Sequence, residues 1–132
     1  MMLGADSNTI IPVETVLLAY AGDRVRADSI YKGQRITIHG VLGGYRQDPA
    51  DAKTYQFYLS GSTGNGWVQC AFSAPDYRFR EEKGSFGAVS LIVINKQGDT
   101  VAHVQKGQPL DVHGHVEGFD DVVRLDHCDL PK

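Results

Sequence analysis

Lys32-Gly33-Gln34-Arg35-Ile36-Thr37-Ile38-His39-Gly40 returns later in the chain as Lys106-Gly107-Gln108-Pro109-Leu110-Asp111-Val112-His113-Gly114. Both copies run on to a glycine–aromatic pair, Gly44-Tyr45 and Gly118-Phe119. Each copy is a turn feeding a strand of alternating polarity. In the first, Ile36 and Ile38 alternate with Arg35, Thr37 and His39, so residues 34–46 read as a strand with one buried face. Gly40, Gly43 and Gly44 permit a bulge or sharp bend, which a small barrel needs where a strand turns a corner. Two copies at so long a period do not make a solenoid.

Between the copies, the Asp48-Pro49-Ala50-Asp51 loop leads to a strand at Thr54–Ser60. A turn at Gly61–Gly66 then leads to a strand at Trp67–Phe72, and these two strands read as a hairpin. A last short strand spans Val122–Leu130. The repeat copies thus take positions 1 and 4 of a five-stranded barrel. Residues 73–105 are long for a connection between strands 3 and 4. Within them, β-branched runs at Val89–Asn95 and Thr100–Val104 flank Lys96-Gln97-Gly98-Asp99 and predict an extra inserted hairpin. Ahead of the barrel, residues 1–11 read as a flexible N-terminus and 12–30 as an N-terminal helix, most periodic over 12–28. Val13, Val16, Leu17, Tyr20 and Ala21 form its apolar stripe. Residues 31–132 make the barrel, and helix and barrel together form a single domain.

Composition supports this reading. The chain has 132 residues, the common size of one domain, and its 42% apolar share suffices for one core. Fifteen glycines suit tight turns and bent strands better than a helical bundle. Thirteen Lys+Arg face 16 Asp+Glu, a formal charge of −3. A phosphate-binding domain normally carries a clustered basic stripe, whereas here the positives are scattered and Arg78-Phe79-Arg80-Glu81-Glu82-Lys83 cancels itself. No apolar run is long enough to cross a bilayer. The opening residues lack a basic and an apolar signal region, and the doubled Met1-Met2 reads as an added start, which leaves both an export segment ahead of it and a cytoplasmic location open.

Three stretches carry a resemblance. They are Leu17-Leu18-Ala19-Tyr20 with Ala27-Asp28-Ser29-Ile30-Tyr31-Lys32-Gly33-Gln34, then Trp67-Val68-Gln69-Cys70-Ala71-Phe72, and finally Val123-Arg124-Leu125-Asp126-His127-Cys128-Asp129-Leu130. In this order, over roughly residues 14–72 and 105–130, they resemble the bacterial tRNA_anti-like OB-fold family. The resemblance implies a mainly β protein, a five-stranded OB-fold Greek-key barrel related to anticodon-binding domains. Many members look like exported or lipid-anchored proteins, which implies a periplasmic or membrane-anchored location. The long 73–105 segment departs from the family pattern and is able to cover a transferred binding surface.

An OB fold usually binds on the outer face of strands 2 and 3. With Phe57 and Leu59 inward, Gln56 and Tyr58 point outward; with Val68, Cys70 and Phe72 inward, Trp67 and Gln69 point outward. Tyr58 and Trp67 then form a small stacking platform beside the amides of Gln56 and Gln69, or else pack as ordinary cross-strand aromatics. Asp48, Asp51, Asp120 and Asp121 in the flanking loops repel phosphate, which favours an uncharged glycan, peptide or protein edge. His39, His113 and His115 are weak metal candidates, because strands 1 and 4 are neighbours and a His-x-His pair on one strand face chelates. Asp111 and Glu117 extend the same face. Cys70 and Cys128 are the only cysteines. The resemblance places them on strands 3 and 5, which implies a disulfide in an oxidising compartment and two buried thiols in a reducing one. Leu125 and Cys128 both face inward only if strand 5 is bulged or ends early. No catalytic motif is present: there is no nucleophile elbow, metal-protease helix or phosphate-binding Gly-Lys loop. The expectation is a non-catalytic, cofactor-free binding module of the bacterial envelope. The alternative is an OB domain for single-stranded nucleic acid or tRNA.

Overall fold

A computed structural model describes residues 9–51, 53–61, 66–73, 76–84, 89–120 and 122–130. Five strands close a barrel: β2 (Arg35–Gln47), β3 (Thr54–Ser60), β4 (Val68–Ser73), β8 (Pro109–Asp120) and β9 (Val122–Asp129). Their order is β2-β3-β4-β9-β8, and pairing of β8 back to β2 removes the edges. All neighbours are antiparallel except β4 and β9, which are parallel. This is the OB-fold topology. Phe57, Leu59, Val68, Cys70, Phe72, Val112, Val116, Val123 and Leu125 fill its interior.

The repeat is built into the barrel as a local pseudo-two-fold. The Gly33 N–H donates to the Val116 carbonyl at 2.9 Å, and the Gly107 N–H donates to the Leu42 carbonyl at 2.7 Å. The returning bonds also match: Val116 N–H to the Gln34 carbonyl, 2.8 Å, and Leu42 N–H to the Gln108 carbonyl, 2.9 Å. Gly33 and Gly107 have φ of 85° and 87°, a left-handed conformation open to glycine at little cost. The next glycine of each copy serves close approach. A Cβ on Gly40 would lie 2.9 Å from Val13 Cγ1, and one on Gly114 would lie 2.6 Å from Cys128 Sγ. The expected bulge also forms, with the β2–β3 register shifting between Leu42 and Gly44.

Three details differ from the sequence reading. Ile10–Pro12 is not part of a flexible terminus: it forms a short strand, β1, parallel to β2. Residues 1–8, the rest of the expected flexible N-terminus, lie outside the described residues. The single helix expected over 12–30 is two, α1 (Val13–Gly22) and α2 (Arg24–Tyr31). Gly22 is a poor helix former, and the Asp23 side chain accepts the Arg26 N–H at 3.1 Å, capping a new helix. The insertion is a three-stranded meander instead of a hairpin: β5 (Tyr77–Lys83), β6 (Val89–Asn95) and β7 (Thr100–Val104). The expected Lys96–Asp99 turn joins β6 to β7. β5 escapes a charge-based reading because its apolar signal is only Tyr77 and Phe79, which alternate with Arg78 and Arg80 and pack on the core, while Glu81, Glu82 and Lys83 run on exposed.

Helices and meander close opposite ends of the barrel. Val13, Val16, Leu17 and Tyr20 of α1 are buried, and the Tyr20 ring stacks 6.0 Å from Phe119 at the far end of β8. At the other end Phe79 lies 4.6 Å from Tyr55, 5.9 Å from Phe57 and 6.0 Å from Phe72, between ring centroids. Leu91, Val93 and Val104 complete that cap.

Candidate functional site

The period-two alternation of β3 and β4 sets which side chains face outward. Gln56 and Tyr58 alternate with buried Phe57 and Leu59, and Gln69 alternates with Val68 and Cys70. Cross-strand register then aligns Gly44, Tyr58, Gln69 and Arg124 in one row across β2, β3, β4 and β9. The described strands of the meander dock at the barrel's end, with Phe79 against Tyr55, Phe57 and Phe72.

Hydrogen bonds tie the row and its neighbours together. Arg46 Nε donates to Gln56 Oε1 at 2.9 Å, and the Tyr58 hydroxyl donates to the same oxygen at 3.0 Å. Gln56 Nε2 donates to Asp48 at 3.3 Å, Gln69 Nε2 to the Tyr58 oxygen at 3.2 Å, and Arg124 to Gln69 Oε1. The Arg46 guanidinium also sits 5.8 Å from the Tyr58 ring centroid, within cation–π reach. The network leaves Gln56 and Gln69 only 8% and 5% exposed, although they face outward. Such cross-linked amides orient each other and hold a fixed pattern of donors and acceptors.

Trp67 is 43% exposed and its indole covers Gly43, where a Cβ would lie 2.1 Å from Cζ3. Tyr58 and Trp67 therefore border the same face from separate seats: Tyr58 meets Arg46, and Trp67 lies on the β2 bulge. Beside the network runs a groove of about 200 Å3, bordered by Gln56, Gln69, Arg124, Asp48, Glu117 and Asp126. Arg46 and Arg124 were not singled out from the sequence. Parity reveals Arg124, flanked by inward Val123 and Leu125; Arg46 needs the bulge to set its direction.

Two of the loop carboxylates predicted to repel phosphate are occupied. Asp51 accepts the Lys53 N–H and the Thr54 hydroxyl, both at 3.0 Å, and these bonds hold its carboxyl below the usual range. Asp48 accepts the Ala50 N–H at 2.8 Å as well as Gln56. Asp121 and the Asp120 side chain lie outside the described residues, as does the turn at 62–65.

The three histidines face outward but do not converge. His39 Nδ1 is 2.6 Å from Asp111 and His113 Nδ1 is 2.9 Å from Thr37, each across the β2–β8 ladder. These are equivalent positions of the repeat. His115 instead turns to β9, with Nδ1 2.9 Å from Asp126.

The disulfide between Cys70 and Cys128 is not formed: both are free, buried thiols. Cys128 is hydrogen-bonded to Cys70, and burial first, then that bond, pushes its thiol well up from its ordinary value. The parity conflict is resolved by a bulge in β9. His113 pairs with Asp129 but His115 with Asp126, and His127 takes a left-handed φ of 48° between them. Leu125 and Cys128 thereby both face inward, at 2% and 4% exposure.

Against known proteins, a family model described as tRNA_anti-like matches residues 4–129. A solved structure from Klebsiella pneumoniae subsp. pneumoniae MGH 78578, named a "putative nucleic acid-binding lipoprotein", superposes with a TM-score of 0.64 at 13% identity. The superposition covers 94% of this chain and 92% of that one, and at such identity it shows the shared fold. No curated protein sequence matches the chain.

Proposed function

Because the chain belongs to the tRNA_anti-like family of OB folds, we propose that it is a non-catalytic binding module of the bacterial envelope. Its ligand lies across the outer face of β3 and β4. The observation that carries this reading is the row of cross-linked side chains Arg46, Gln56, Tyr58, Gln69 and Arg124, with exposed Trp67 at its border. Donors, acceptors and a flat aromatic surface serve a neutral, extended ligand such as a glycan or a peptide strand. Charge favours this class. The groove carries one cation among its described residues, Arg124, and three carboxylates, Asp48, Glu117 and Asp126. A polyphosphate backbone would meet repulsion there.

A second reading, single-stranded nucleic acid, draws on two particulars. Arg46 over Tyr58 is a cationic stacking surface of the kind that base-stacking OB folds use, and the Klebsiella neighbour carries a nucleic acid-binding name. The envelope assignment draws on the word lipoprotein in that same name. No helix is long and apolar enough to cross a membrane among the described residues.

Trp67 is the sole tryptophan and lies on the face, so its emission reports occupancy. Titration with neutral oligosaccharides and peptides should change that emission, and Tyr58→Ala should weaken the response. Single-stranded oligonucleotides should bind weakly at physiological salt. Submicromolar oligonucleotide affinity that falls steeply with salt would move the assignment to the second reading. Fractionation of cells expressing the natural gene tests the compartment.

A further inference from the structure

We propose that His115, Glu117 and Asp126 form a binding site for a divalent transition-metal ion such as Zn2+, on the outer face of β8 and β9. Glu117 and Asp126 also border the groove beside the β3–β4 network, but the ligand geometry stands without any assumption about what that face binds. Glu117 sits at a β8 bulge between buried Val116 and Gly118 and is exposed on the same side as His115, while Asp126 lies opposite His115 on β9. One ligand atom of each lies within 4.8 Å of the other two. His115 Nδ1 is 2.9 Å from Asp126 Oδ1 and 3.6 Å from Glu117 Oε2. Ligands bound at about 2.1 Å to one ion stand roughly 3.0–3.4 Å apart at octahedral or tetrahedral angles. The two distances bracket that range, so an ion enters with small side-chain rotations.

The backbone brings this set together through the β9 bulge. Regular pairing beyond His113–Asp129 would set His127 opposite His115. The left-handed turn at His127 advances the register and puts Asp126 there instead. The same turn leaves His127 Nδ1 3.4 Å from the other Asp126 oxygen, where it orients the carboxylate or supplies a further ligand. Imidazole with two carboxylates suits zinc and its neighbours in the first transition row, whereas calcium and magnesium prefer oxygen alone. The nearby guanidinium of Arg124 is directed to Gln69 Oε1.

Chelator-treated whole protein is titrated with zinc chloride by calorimetry, with calcium chloride as the comparison and thermal unfolding as a second readout. The expected result is one equivalent of Zn2+, a raised Tm and no response to Ca2+. His115→Ala and Asp126→Asn should each weaken zinc affinity by about tenfold or more. His39→Ala, whose imidazole pairs separately with Asp111, should leave it unchanged. If His115→Ala fails to fold, His115→Asn and Glu117→Gln carry the same comparison. Absence of micromolar zinc binding, an equal response to Ca2+, or zinc binding indifferent to the folded His115 variant would overturn the site.

Discussion

Single missing methyl groups shape this barrel as much as its large side chains do. At Gly114 an added Cβ meets Cys128 Sγ at 2.6 Å and both Leu125 Cβ and the Asp126 carbonyl at 3.3 Å. Nothing in that interior is free to swing aside, so Gly114→Ala should destabilise by about 1–3 kcal/mol through overpacking. A urea midpoint measures it. Gly22 offers the contrast: nothing lies within 4 Å of its Cβ position and it ends α1. Gly22→Ala should therefore be neutral or stabilise by up to about 1 kcal/mol through helix propensity. At Gly43 the obstacle is the half-exposed Trp67 ring, which is able to move. Gly43→Ala should shift the emission of this sole tryptophan with little loss of stability, and unchanged emission would show that the indole does not rest there.

At the scale of elements, the two barrel caps differ in how firmly they are held. α2 starts on the Asp23 cap and returns through the Tyr20 hydroxyl, which donates to Asp28 at 2.8 Å. Asp23→Ala should cost about 1 kcal/mol and lower helical signal in circular dichroism without disturbing the barrel. The meander is docked chiefly by aromatic contacts centred on Phe79. Phe79→Ala should cost about 3 kcal/mol. Its hydrogen-exchange signature should be selective, with β5, β6 and β7 losing protection before β2, β3 and β4. Uniform loss across both sheets would mean that cap and barrel unfold as one unit.

For the whole molecule, burial sets the behaviour at high pH. Desolvation raises Tyr31, Tyr45 and Tyr77, and desolvation with the bond to Asp28 raises Tyr20 further. Cys128 is raised by burial and by Cys70. A raised value means that the folded state holds its proton more tightly than the unfolded state. The stabilisation is complete below the ordinary values, 9.0 for cysteine and 10.0 for tyrosine, and is lost progressively above them as pH rises through the raised values of the folded state. Stability should thus be level from neutral pH to about 9 and fall above it, tracked by urea midpoints alongside tyrosinate absorbance. Tyr20→Phe should flatten part of that fall. A midpoint that is flat through strong alkali would show the tyrosines to be solvated in solution.

The sequence by itself determined the barrel. The repeat at Lys32 and Lys106, the period-two alternation after each copy and the punctuating glycines are local patterns, and backbone geometry converts them directly into paired strands with one buried face. The outward placement of Gln56, Tyr58, Gln69 and Arg124 follows from the same parity. Tertiary structure decided what parity cannot express. The helix break at Asp23 was itself local, a Gly22 end and an Asp23 cap that helical periodicity does not register, but β5 becomes a strand because Phe79 has an open barrel end to fill. The histidines separate because register gives His39 and His113 partners across β2–β8, while a one-residue bulge at His127 turns His115 toward Asp126. Alternation says which face a side chain takes; only the closing of one strand against another says which side chain it meets there.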